Sequence, residues 1–113
     1  MERAEMKRLM IVETRDPIAT PDAAWGTGLL IEARQAGTAC TLMLAENGTL
    51  GARAGASPSW LVAAADAGIE ILADAFALAE RGIPAEQIAT GIRSAPLALI
   101  VDRLAAGDPV LWR

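Results

Sequence analysis

The chain has no histidine and no tyrosine. Without an imidazole, His-based acid–base catalysis, Ser-His-Asp triads and His-ligated metal sites are excluded within one chain. Cysteine occurs once, as Cys40, which excludes an intrachain disulfide and a cysteine-rich zinc site. No metal site and no cofactor are therefore expected. Positive charge is in deficit: ten Lys and Arg face fourteen Asp and Glu, a net charge of −4. Nucleic acids and anionic membranes call for a clustered positive field, so neither is an expected partner. No apolar run approaches the ~18 residues of a membrane span. The charged start, Met1 to Arg8, leads into no signal-peptide core and no cleavage site, so the expected location is the cytoplasm.

What is present points to one compact domain over 1–113. Hydrophobic residues are 53% of the chain against 21% charged, enough to build a core without staples. Much of the apolar share is alanine, which favours close packing of helices on a sheet.

Along the chain, short apolar runs alternate with helix signals. Lys7 to Glu13 reads as a buried strand centred on Ile11 and Val12. Thr20-Pro21-Asp22 is a helix start, with a hydroxyl cap, proline in the first turn and an acid behind it; Gly37 stops the helix. Thr38 to Ala45 is a second strand, and 46–57 a long flexible or partly disordered loop. Ser57-Pro58-Ser59 opens a helix that runs to Gly68, and Ile69 to Ala73 is a third strand. A helix from Asp74 closes at Gly82, a helical turn covers Pro84 to Ile88, and Thr90 to Arg93 is a fourth strand. Ser94 is expected to cap a helix ending at Gly107, before a short fifth strand from Asp108 to Trp112. This alternation predicts an α/β fold: a flavodoxin-like, doubly wound, mostly parallel five-stranded sheet with helices on both faces.

One stretch carries more than fold. Gly68 to Ile83 (Gly-Ile-Glu-Ile-Leu-Ala-Asp-Ala-Phe-Ala-Leu-Ala-Glu-Arg-Gly-Ile) runs from strand to helix, the junction where α/β sheets place ligands. It resembles the DsrE/DsrF-like (TusD/TusC-like) group of small sulfur-trafficking proteins, in which such a helix closes on Arg-Gly-Ile or Arg-Gly-Val. The resemblance extends from the first strand to the Val-Leu-Trp ending and implies the same fold. In sulfur-carrying members a reactive cysteine sits eight residues before that glycine, and eight before Gly82 is Asp74. A helix start stabilises a carboxylate as it does a thiolate, but a carboxylate cannot carry a persulfide. Asp74 reads first as an N-cap, worth about 1 kcal/mol.

Cys40 lies between Ala39 and Thr41 in an apolar strand and reads as a core cysteine; the alternative is a persulfide carrier relocated there. Gly26-Thr27-Gly28 sits inside a helix, so it reads as a close-packing surface and not a phosphate loop. Polar groups expected at the strand ends are Glu13, Thr14, Arg15, Asp16, Asn47, Asp74, Arg93 and Ser94. Of these, Arg15, Asp16, Asn47, Asp74, Arg93 and Ser94 form the candidate ligand-binding set, with Arg15 and Arg93 suited to hold an anion. Trp25, Trp60 and Trp112 serve monomer packing or an interface equally well, and the resemblance favours the interface. It implies a homo-oligomer (trimer or hexamer) or assembly with paralogous DsrE-like subunits, and possible exchange with a sulfur-carrier protein.

The function expected is that of a DsrE-like subunit associated with intracellular sulfur transfer or sulfur oxidation, non-catalytic for want of the carrier cysteine and sulfurtransferase-like at most. The alternative is a small-molecule or anion-binding protein using the C-terminal edge of the sheet.

Overall fold

The computed structural model describes residues 8–113. Five parallel strands, β1 (Leu9–Glu13), β2 (Cys40–Leu44), β3 (Glu70–Asp74), β4 (Ile92–Ala95) and β5 (Val110–Trp112), form one sheet in the order β4-β3-β2-β1-β5. The helices are α1 (Trp25–Gln35), α2 (Ser59–Asp66), α3 (Ala75–Glu80) and α4 (Ala98–Ala105). From β1 the chain steps in one direction through β2, β3 and β4. Right-handed crossovers then put α1, α2 and α3 on one face. The last connection returns past β1 to β5 and puts α4 on the other. The result is a flavodoxin-like, doubly wound parallel sheet.

Register explains the two cores. Ile11, Leu42, Ile71 and Ile92 lie in one row across the sheet and meet Leu30, Leu61 and Leu78 of the three helices. The alternate row, Trp112, Val12, Met43, Leu72 and Arg93, faces the other way, where α4 packs on it through Ile100. Buried on both sides, the central strands are continuous apolar runs. Gly26 permits α1 to close on the sheet, since a Cβ there would lie 3.2 Å from Ile11 Cγ2.

Several boundaries differ from the sequence reading. The start of the first strand expected at Lys7 lies outside the described residues. Thr20 makes no side-chain cap; Pro21–Ala24 is a 3-10 turn, and the α-helix begins only at Trp25. Ser57 does not cap α2 either; its hydroxyl donates to the Gly51 carbonyl at 2.7 Å and ties down the preceding loop. Ser94 is no cap but part of β4, paired with Ala73. Pro96 explains this, because the residue before a proline is pushed to extended backbone, which carries the strand through Ala95.

The 46–57 segment, expected to be a flexible loop, is packed. Glu46–Ala52 winds as 3-10 turns with Gly48, Thr49, Gly51 and Ala52 buried. Backbone bonds from Ala54 to Gln87 (2.7 Å) and from Ala89 to Ala52 (2.8 Å) lace it to the segment before β4. Its small residues, read as a sign of mobility, are what let the backbone lie close over the strand ends. No helix among the described residues is long and apolar enough to cross a membrane.

Candidate functional site

The C-terminal edge of the sheet is where β3 leads to α3 on one face and β4 leads to α4 on the other. That reversal opens the crevice in which doubly wound sheets bind ligands. Asp74 stands on it. Its two carboxylate oxygens accept from the Phe76 and Ala77 amides at 3.3 and 3.2 Å, and the residue is only 3% exposed. The helix start is thus closed by the chain's own anion. Both oxygens are engaged by these amides, and the carboxylate stabilises the turn as an N-cap.

Beside it, Asn47 reaches in from the loop after β2. Its Oδ1 accepts from Arg81 NH2 and Nε at 2.9 and 3.3 Å, while Arg81 NH1 donates to the Ala77 carbonyl. Arg81 therefore braces α3 against the neighbouring loop. Glu46, the residue before Asn47, has a left-handed backbone, φ 49°, which costs a residue with a side chain about 1–2 kcal/mol. The turn lays Gly48 directly on the Glu13 carbonyl, where any Cβ would collide with that oxygen. The strain at Glu46 steers the loop across the end of β1.

Glu13, the last residue of β1, is fully buried. Its Oε2 accepts from the Arg15 amide at 3.2 Å, and its Oε1 lies 3.9 Å from Arg113 Nε. Oε1 and Arg113 NH1 are both buried without a hydrogen bond among the described residues. Burial pushes the Glu13 carboxyl above its ordinary range; the Arg15 amide and the charges of Arg113 and Arg15 pull it back in part. Arg113 itself stacks over Trp25, 4.7 Å from the ring centroid. With Asp22 these two line a surface cavity of about 310 Å³.

The six residues of the expected ligand set do not converge. Asp74 and Ser94 flank the β3–β4 crevice, and Asn47 adjoins it. Arg15 and Asp16 follow β1, three strands from β4, and at about 4.8 Å per strand that is some 14 Å away. Asp16 is spent on its own turn, accepting from the Ile18 amide at 2.9 Å. Arg93 points away from this edge altogether and donates to Glu70 Oε2 at 2.6 Å. Arg15 and Arg93 therefore cannot clasp one anion between them, because strand order and the pull of Glu70 separate them.

Cys40, the first residue of β2, is 5% exposed, and its thiol faces the Thr38 carbonyl at 3.4 Å. Burial pushes its pKa up, against a partial opposing pull from Arg34. It lies at the N-terminal edge, on the wall of a cavity of about 430 Å³ to which no sequence motif points. No sequence signal marks Arg113, or Thr41 and Arg103 as partners of Glu70, or Arg81 as a partner of Asn47. Only proximity in the fold, not spacing along the chain, brings them to these sites. Among the described residues no cluster of metal-ligating side chains occurs.

No family model matches this chain, and no curated protein does. Solved structures do. The ychN protein from E. coli superposes with a TM-score of 0.82 at 17% identity, covering 96% of this chain and 100% of its own. The conserved protein of unknown function BT1422 from Bacteroides thetaiotaomicron gives 0.77 at 18% identity over 95% of both chains. MTH1491 from Methanobacterium thermoautotrophicum, also of unknown function, gives 0.72 at 13% identity, covering 96% of this chain and 100% of that one. At these identities what is shared is the fold: the chain has the architecture of ychN, BT1422 and MTH1491 over nearly its whole length.

Proposed function

We propose that the chain is a DsrE-like subunit of an oligomer associated with intracellular sulfur transfer or sulfur oxidation, one that organises or presents and does not itself carry sulfur. The observation behind this is Asp74. It occupies the position of the carrier cysteine in the resembling family, and its carboxylate closes the α3 start that would otherwise stabilise a thiolate. Cys40, the single thiol, is buried. An oligomer is supported by apolar surface: Leu97, Val101 and Leu104 form one exposed stripe along α4, and Leu111 and Trp112 are exposed on edge strand β5. A self-association face or a paralogous subunit would cover it.

Two measurements on the intact protein test this. Light scattering should give a mass that is a multiple of the 11.8 kDa chain, and Val101→Glu should reduce it. Brief native incubation with polysulfide should leave Cys40 unmodified until the protein is denatured. A rapid, reductant-reversible one-sulfur adduct on Cys40 would overturn the non-carrier reading in favour of the relocated carrier.

A second reading, an anion- or small-molecule-binding protein acting at the same edge, is supported by the cavity between Asp22, Trp25 and Arg113. Loss of inorganic phosphate binding in Arg113→Gln would favour it.

A further inference from the structure

The cavity at the opposite, N-terminal edge of the sheet has a composition that neither reading uses. Its wall carries Arg8, Arg34 and Arg103 together with Thr41, Cys40 and Glu70. The guanidiniums come from three separate parts of the chain: the approach to β1, the last turn of α1, and the inner side of α4. Arg103 is the built part. Its side chain is 9% exposed, with NH1 donating to Thr41 Oγ1 at 3.2 Å and NH2 to Glu70 Oε1 at 3.3 Å. Thr41 in turn donates to the same Glu70 oxygen at 2.8 Å. Arg93 holds the other Glu70 oxygen, and Arg8 is paired with Asp108 at 2.8 Å.

The charges do not cancel. Among the described residues of this network, four guanidiniums, Arg8, Arg34, Arg93 and Arg103, meet two carboxylates, Glu70 and Asp108, an excess of two positive charges on a chain of net −4. The C-terminal ends of α1, α2 and α4 reach this edge and return about half a negative charge each. All three ends are closed by backbone bonds, from Thr38 to the Ala33 carbonyl, from Ile69 to the Ala64 carbonyl and from Asp108 to the Arg103 carbonyl, so this correction is an upper limit. The balance stays positive. Arg34 makes no hydrogen bond or ion pair among the described residues, and it lies across Gly68, whose missing side chain leaves it room. Cys40 adds no negative charge, since its buried thiol resists ionisation.

We infer that this pocket is a binding site for a small multivalent anion, an inorganic oxoanion or a short polycarboxylate, with Arg34 as the principal ligand and Arg8 and Arg103 beside it. A volume of about 430 Å³ admits such an anion with part of its water, within the usual range of small-molecule sites. The planar fork of Arg34 suits paired oxygens. Glu70 has a separate part. Held by two arginines, it keeps Arg103 aimed at the cavity floor and is not available to repel an anion at full strength.

Amide NMR titration of the full chain with inorganic phosphate, and separately with citrate, tests the assignment. Saturable millimolar shifts should cluster at Gly37, Cys40 and Gly68 and weaken with added chloride. Arg34→Gln, a change at an exposed helix end, should weaken binding about tenfold or more, as expected for one lost charge-assisted contact. Arg15→Gln at the other edge should leave it unchanged. A preference for phosphate or for citrate identifies which of the two anion types the pocket takes. Absence of saturable shifts with either anion overturns the inference. So do shifts centred on Asp16 and Asn47, or binding that Arg15→Gln abolishes and Arg34→Gln spares. None of these outcomes bears on whether Asp74 makes the subunit a non-carrier.

Discussion

Glu13 and Glu70 show how far one residue type is altered by where it stands. Each is the end residue of a central strand, one at the C-terminal edge and one at the N-terminal. Burial would raise both carboxyls. At Glu70 the hydrogen bonds from Thr41 and Arg103, and the charges of Arg103 and Arg93, outweigh burial and hold the group below the ordinary value of 4.5; at Glu13 burial prevails. The signs then follow by linkage. Above 4.5 the folded protein binds more proton at Glu13 than the unfolded chain does, so Glu13 makes folding less favourable as pH rises through its raised pKa. Glu70 contributes stability that is present above 4.5 and lost as pH falls through its lowered pKa. Stability measured by urea unfolding should therefore increase from neutral pH toward mildly acidic pH and fall below 4.5. Glu13→Gln should flatten the rise and leave the acid fall in place. Neither shift was legible in the sequence, which shows two glutamates at strand ends and nothing of the arginines that the fold brings from α4, β4 and Arg113. Asp74 was legible, because a cap is a local device: carboxylate and amides lie within three residues of each other.

At the scale of elements, what could be read was whatever repeats locally. Apolar runs gave five strands, glycines at Gly37, Gly68, Gly82 and Gly107 closed the helices with positive φ, and the alternation gave the parallel sheet. Capping was read less well. Thr20, Ser57 and Ser94 have the residue types of helix starts, yet the hydroxyl of none of them caps. In each case a nearby proline governs the backbone, and at Ser94 pairing with β3 takes the residue into the sheet. The 46–57 segment was misread for a related reason. A run of small residues signals freedom when nothing lies over it and tight packing when a strand end does. The two meanings of glycine can be separated by experiment. Gly28, in α1, has open space where a Cβ would stand, with no neighbouring atom within 4 Å, so Gly28→Ala should stabilise by about 0.5–1 kcal/mol through helix propensity. Gly48→Ala should destabilise by about 3 kcal/mol or more, or prevent folding, because the new carbon meets backbone at Glu13. Urea midpoints of the two variants should move in opposite directions.

In the whole molecule the two faces of the sheet are unequally covered. Among the described residues, three helices pack on one, and one helix of eight residues packs on the other. That helix is apolar on both sides: Ile100 faces the sheet, and Val101, 64% exposed, faces outward with Leu97 and Leu104. Doubly wound topology was readable from the chain, but this asymmetry was not, because it follows from strand order, and order is set by the one long return from β4 to β5. The asymmetry also links folding to concentration. If a second copy closes over α4, the partner covers the apolar outer face of that helix, and association then adds to stability by mass action. The midpoint of thermal unfolding should accordingly climb with protein concentration in the wild type and become independent of it in Val101→Glu. An apolar outer helix face would then let the amount of protein present decide how much of it is folded.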